Sequence, residues 1–101
     1  MAKVVVTAIA AADLESLIIS HSLPIDTKER LKRAIASLQR FPELGSVLER
    51  SWQGYRFVLG PWRWMLIVYE YQMPSDIEAS DTVAIVTIQD SRSRTSPTSE
   101  S

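Results

Sequence analysis

The sequence predicts an α+β domain, with two N-terminal helices packed on one face of a four-stranded, mainly antiparallel sheet in the order β-α-α-β-β-β. Three observations carry this. The first half holds two segments with apolar residues at helical spacing. The stretch from Gly54 to Tyr71, GYRFVLGPWRWMLIVYEY, reads as two strands around a Gly-Pro break. Thr82 to Gln89, TVAIVTIQ, is a near-continuous apolar run. A chain of 101 residues, 46% hydrophobic, is long enough for one core and one domain. We place that domain at residues 1–94 and expect the Ser-rich polar tail, residues 95–101, to be disordered.

Each element has a local reason. KVVVT, from Lys3 to Thr7, is β-branched and reads as a short strand. Thr7 is placed to cap a helix that starts at Ala8 and runs to about Ser20. Ala11, Leu14, Leu17 and Ile18 form its apolar stripe. SHSLPID is a loop. Asp26 lies three residues before Glu29, a capping-box-like start to the second helix. That helix is expected to bury Leu31, Ala34, Ile35, Leu38 and Phe41, and to pair Glu29 with Arg33 on its outer face. Pro42 ends it, because proline lacks an N–H and disfavours a helical residue before it. PELG is a turn, and Ser46 to Gln53 a connection.

Tyr55, Phe57 and Leu59 then alternate with Arg56 and Val58, the period of a half-buried strand. Gly60-Pro61 suits the centre of a II′-type hairpin turn, which places Arg63 on the second strand. A loop with three acids, Asp76, Glu78 and Asp81, leads to the last strand, whose pattern is that of a central strand. Two helices cannot bury their stripes alone, so they pack as a pair on the sheet. The opposite face is left open or covered by a partner.

Composition excludes several function classes. No run of about 18 apolar residues exists, so no membrane span is expected. The N-terminal MAKVVVTAIAAADLE meets Asp13 and Glu15 early, as a strand entering a helix does, and not as a signal peptide does. Cysteine is absent, which removes disulfides and thiolate chemistry and fits a cytoplasmic protein. With one histidine and no cysteine, no metal site and no cofactor is expected. The net charge of −1 and pI near 5.8 argue against strong nonspecific nucleic-acid binding. Yet Arg56, Arg63, Arg92 and Arg94 fall in or beside the sheet, so a local basic patch is compatible with the neutral whole. Arginine is costly to bury unpaired. These residues are therefore either an anion site or structural ion pairs, with Glu70 or Asp90 as candidate partners of Arg63. Trp52, Trp62 and Trp64 are expected to fill the core or meet a partner, and His21 to end a helix.

The chain resembles the RelE/ParE superfamily of toxins from type II toxin–antitoxin systems. The resemblance spans roughly residues 3–94 and rests on order and spacing. It runs through VVVTAIAAADLESL, AIASLQRFPELG, GYRFVLGPWRWMLIVYEY and VAIVTIQDSRSRTSP. It implies one of two activities. In the RelE-like branch the sheet docks in the ribosomal decoding site and the messenger RNA is cut by attack of its own 2′-hydroxyl. Such a site needs positive charge around the phosphate and a proton acceptor and donor. The resemblance then implies catalytic roles for Arg56, Arg63 and Arg92 and a nucleic-acid contact for Arg94. The chain departs from that branch in two places. Val58 stands where a second basic residue is usual, and Thr95, Ser96, Pro97 and Thr98 replace the usual tail Tyr or His. The general acid/base is thus unassigned, with Tyr69 and Tyr71 as stand-ins. In the ParE-like branch the toxin poisons DNA gyrase without catalysis, and an Arg-bearing hairpin and tail fit equally. Ribosome-dependent mRNA cleavage ranks first, gyrase poisoning second, and an inactive relative that only binds its antitoxin third. All three imply an antitoxin whose C-terminal segment wraps the toxin. The further partners are the ribosome with its mRNA, or gyrase.

Overall fold

The structure is a computed structural model, and it describes residues 2–73, 81–93 and 97. The elements are β1 (Lys3–Val6), α1 (Ala8–Ser20), α2 (Thr27–Ile35), a 3-10 turn (Ala36–Gln39), β2 (Ser46–Val47), a second 3-10 turn (Arg50–Trp52), β3 (Arg56–Leu59), β4 (Met65–Gln72) and β5 (Thr82–Asp90). The domain is α+β, as expected, but the sheet is a mixed one of five strands in the order β1-β5-β4-β3-β2. β1 runs parallel to β5, and the remaining neighbours are antiparallel. The added strand is β2, which the sequence shows only as a connection. Its two residues pair with Phe57 and Arg56.

That extra strand depends on a close approach at Gly45. A Cβ there would lie 2.6 Å from the Phe57 carbonyl oxygen and 2.7 Å from the Tyr69 hydroxyl. Only glycine lets the chain come this near to β3. The Gly45 N–H donates to the Tyr69 hydroxyl at 2.9 Å, and that hydroxyl donates to the Pro42 carbonyl at 2.7 Å. One buried tyrosine therefore pins both ends of the turn to β4.

α1 forms where its sequence predicts, but Ala10 is its buried alanine and Ala11, expected on the apolar stripe, is exposed. Thr7 caps it by accepting the Ala10 N–H at 3.3 Å, while its hydroxyl donates to the Ile85 carbonyl at 2.8 Å. The cap thus also fastens the helix start to β5. Asp13 closes the contact further along by accepting from the Thr87 hydroxyl and the Ile88 N–H. β1 ends opposite Ile85, so α1 covers part of the β5 edge that β1 leaves bare.

The core joins Ala10 and Leu14 of α1 and Leu31 and Ile35 of α2 to Met65, Ile67 and Tyr69 of β4 and Val83, Ile85 and Ile88 of β5. Leu38 is buried as expected, but Phe41 is 61% exposed. The α-helix ends at Ile35 and a 3-10 turn follows to Gln39, so α-helical spacing no longer places residue 41. The ion pair on α2 also differs from expectation, since Arg30 bonds Asp26 at 3.0 Å where Glu29 and Arg33 were expected to pair. Asp26 makes no side-chain cap. The face away from the helices is not bare either. Leu66 and Val68 alternate with the core residues of β4 and are fully buried. No helix among the described residues is long and apolar enough to cross a membrane. Most of the acidic loop and of the tail, with Asp76, Glu78 and Arg94, lies outside the described residues, while Pro97 is buried.

Candidate functional site

The β3–β4 connection decides where the arginines go. The expected two-residue turn at Gly60-Pro61 is instead a five-residue loop, residues 60–64, because β3 ends at Leu59 and β4 starts at Met65. The Gly60 N–H donates to the Met65 carbonyl and the Met65 N–H to the Trp62 carbonyl, both at 2.9 Å. Pro61 has no N–H to extend the ladder, and Trp62 and Trp64 pack against the core from within the loop. Arg63 therefore sits in the loop, not on the second strand, and its side chain is exposed. It pairs with neither Glu70 nor Asp90. No ion pair or hydrogen bond engages it among the described residues.

Arg92 lies at the same end of the sheet. β5 ends beside the loop, where Met65 pairs with Asp90 and the Ser91 N–H donates to the Trp64 carbonyl at 2.7 Å. Arg92 Nε donates to Asp90 Oδ1 at 2.9 Å and Nη2 to Oδ2 at 2.8 Å, a two-point clamp. The Arg92 backbone N–H also donates to Asp90 Oδ1 at 2.9 Å. The Arg92 guanidinium beside Asp90 holds that carboxyl well below the usual carboxylate range, against the opposing pull of burial. The same bond raises the Arg92 pKa.

His21 completes the cluster from the C-terminal cap of α1. Nε2 lies 3.1 Å from Asp90 Oδ2 and Nδ1 lies 2.8 Å from the Ser20 hydroxyl. The imidazole stacks on Trp64 with ring centroids 4.5 Å apart. Arg92 lies over the Trp64 ring at 5.3 Å and Arg30 over the Trp62 ring at 5.7 Å. Both imidazole nitrogens are engaged, so the ring is held as a bridge between α1 and β5.

Arg56 is elsewhere. It pairs with Tyr69 at the start of β3, so the length of β3, on the order of 10 Å, separates it from the loop. Arg56 Nη1 donates to the Gly45 carbonyl at 2.9 Å and the Glu43 carbonyl at 3.2 Å, and Nη2 faces the Glu43 carboxylate at 3.6 Å. It ties the turn to β3. Of the three arginines assigned together from the sequence, the structure gathers Arg63 and Arg92 and leaves out Arg56. Tyr69 is buried and pinned, with its pKa raised by burial against the Gly45 bond. The Tyr71 hydroxyl donates to Asp81 at 2.7 Å, which raises its pKa. Neither tyrosine stands beside Arg63.

Asp90, His21 and Arg30 were not assigned to a site from the sequence. One signal for Asp90 is local: an Asp two residues before an Arg at a strand end is the pattern of a side-chain-closed turn. The union of His21 with Asp90 spans 69 residues and leaves no local trace. A scan against protein-family models finds no match, and a search of curated proteins finds no relative.

Proposed function

We propose that this chain is a toxin of a type II toxin–antitoxin module, of RelE/ParE type, that inhibits growth by binding DNA gyrase without catalysis. The α+β architecture, with two helices after the first strand and a later strand hairpin, supports the resemblance, although β2 is an added strand. The observation that favours binding over RNA cleavage is the dispersal of the arginines. Arg56 closes a turn at one end of β3, and Arg92 is clamped by Asp90. A phosphoryl-transfer site needs its cations and its acid and base converged within hydrogen-bond reach of one phosphate. Of the three, Arg63 alone is exposed without a partner among the described residues. A cytoplasmic setting and an antitoxin partner belong to the same proposal.

mRNA cleavage, ranked first from the sequence, becomes the second reading, favoured by one observation. His21 and Asp90 stand beside Arg92 at the Arg63 end, and supply an imidazole that the tail lacks. The test is a supercoiling reaction with purified gyrase, plasmid and this protein. Gyrase–DNA covalent complexes, revealed as linear plasmid after denaturation and protease treatment, are the expected product. Undisturbed supercoiling with no linear plasmid defeats the gyrase reading.

A further inference from the structure

The loop end of the sheet carries a band of arginines wider than the pair, Arg63 and Arg92, that the toxin readings use. Arg30 and Arg33 come from α2, Arg63 from the β3–β4 loop and Arg92 from the turn after β5, and all four are exposed. Trp62 and Trp64 join them. Arg30 lies over one ring and Arg92 over the other, and the two rings stack with centroids 6.3 Å apart. Beside Arg30, an open groove of about 600 Å³ is lined by Asp26, Arg30, Arg33, Ala34 and Pro61. The band holds four arginines, of which two are bonded to carboxylates, Arg30 to Asp26 and Arg92 to Asp90, in a chain whose net charge is −1.

Arg30 and Arg92 are fixed, and all four cations have donors to offer. Asp26 takes Arg30 through Nε and leaves both Nη groups. Asp90 takes Nε and Nη2 of Arg92 and leaves Nη1. Arg33 and Arg63 have no hydrogen bond or ion pair among the described residues. Guanidinium groups held in place by a carboxylate and an aromatic face lose little freedom when they bind an anion.

We propose that this arginine band binds the phosphate backbone of duplex DNA without reading its base sequence. Proteins that hold single strands offer open aromatic faces to the bases. Here the Trp62 and Trp64 rings already stack on the chain's own Arg30, His21 and Arg92, so what faces outward is charge. An acidic protein partner would need a pocket for a buried anchor, and the groove by Arg33 is open, with Asp26, Arg30 and Arg33 in its lining. Phosphate oxygens match the remaining Nη donors. The inference goes beyond the gyrase reading and does not depend on it. If both hold, the toxin touches the DNA that gyrase holds.

The experiment is fluorescence anisotropy of a labelled duplex of about 20 bp with the full chain, stepped upward from low salt. Binding is expected to weaken with a log–log slope of about −0.9 for each phosphate contacted. Arg33→Ala and Arg63→Ala should each weaken low-salt binding several-fold and flatten the slope by about one contact. Neither side chain has a partner to lose among the described residues, so both variants are expected to keep the fold, which circular dichroism checks. Lys3→Ala, at the opposite end of β5, should leave binding unchanged. No binding at the lowest salt, an equal loss in Lys3→Ala, or tighter binding of a single strand or of polyglutamate overturns the proposal. The assay contains no gyrase. Failure here with gyrase poisoning intact removes only the band, and duplex binding without poisoning removes only the gyrase reading.

Discussion

Tyr69 does more for the fold than its place in an apolar strand suggests. Its ring is fully buried in the core, and its hydroxyl both accepts from Gly45 and donates to Pro42. Tyr69→Phe keeps the ring and strands a buried N–H and a carbonyl, which costs about 1–3 kcal/mol. For a domain of this size each kcal/mol lowers Tm by roughly 4–8 °C. A thermal melt of Tyr69→Phe that matches the parent would show that the hydroxyl does not hold the turn. Gly45→Ala attacks the same junction from the other side. Its Cβ would meet a backbone oxygen that cannot move aside, so a loss of about 1–3 kcal/mol is expected, read by urea unfolding. Asp90 supplies a pH signature. Its folded pKa is depressed, chiefly by Arg92. Its contribution is therefore fully present above the unfolded value of about 3.9 and is lost as pH falls through the lower folded value. Between about pH 5 and about pH 2 the parent should lose more stability than Asp90→Asn does. Equal losses in urea melts at the two pH values would contradict the clamp.

At the scale of elements, some of the structure is legible because its cause is local. Thr7 caps α1 where its sequence position says it should. Thr82 to Gln89 is a central strand because an apolar run can be sheathed on both edges, by β1 and β4. What the sequence hides depends on partners far along the chain. β2 exists because Gly45 admits the chain against β3, and the neighbours that make this visible are Phe57 and Tyr69. The loop at residues 60–64 follows from Trp62 and Trp64 packing inward, which strand alternation does not report. That difference moves Arg63 from a strand to a loop tip, and it separates Arg56 from the other two candidates. The join between α1 and β5 is likewise hidden, although Thr7 both caps the helix and bonds Ile85. Thr7→Ala removes both contacts and should cost about 0.5–2 kcal/mol by the capping contribution alone, measured as a shift in urea midpoint. An unchanged midpoint would mean that Asp13 and the apolar stripe suffice to seat α1.

The whole molecule divides its arginines between two tasks. Arg56 is structural, holding the turn with Glu43 and Gly45. Arg63 and Arg92 lie at the loop end of the sheet, which under the proposed function is the surface that meets a target. The same division explains why a chain with no excess of positive charge can still present a basic end. It also sets the order of the toxin readings, since a binding surface tolerates dispersed cations and a phosphoryl-transfer site does not. The most direct test is induced expression in bacteria that lack the antitoxin, with a DNA-damage reporter and mapping of transcript 5′ ends after induction. The account predicts growth arrest with the damage reporter on and transcripts intact, and relief of the arrest by Arg63→Ala but not by Lys3→Ala. New 5′ ends inside translated codons, with the damage reporter silent, would contradict it and establish RNA cleavage in its place.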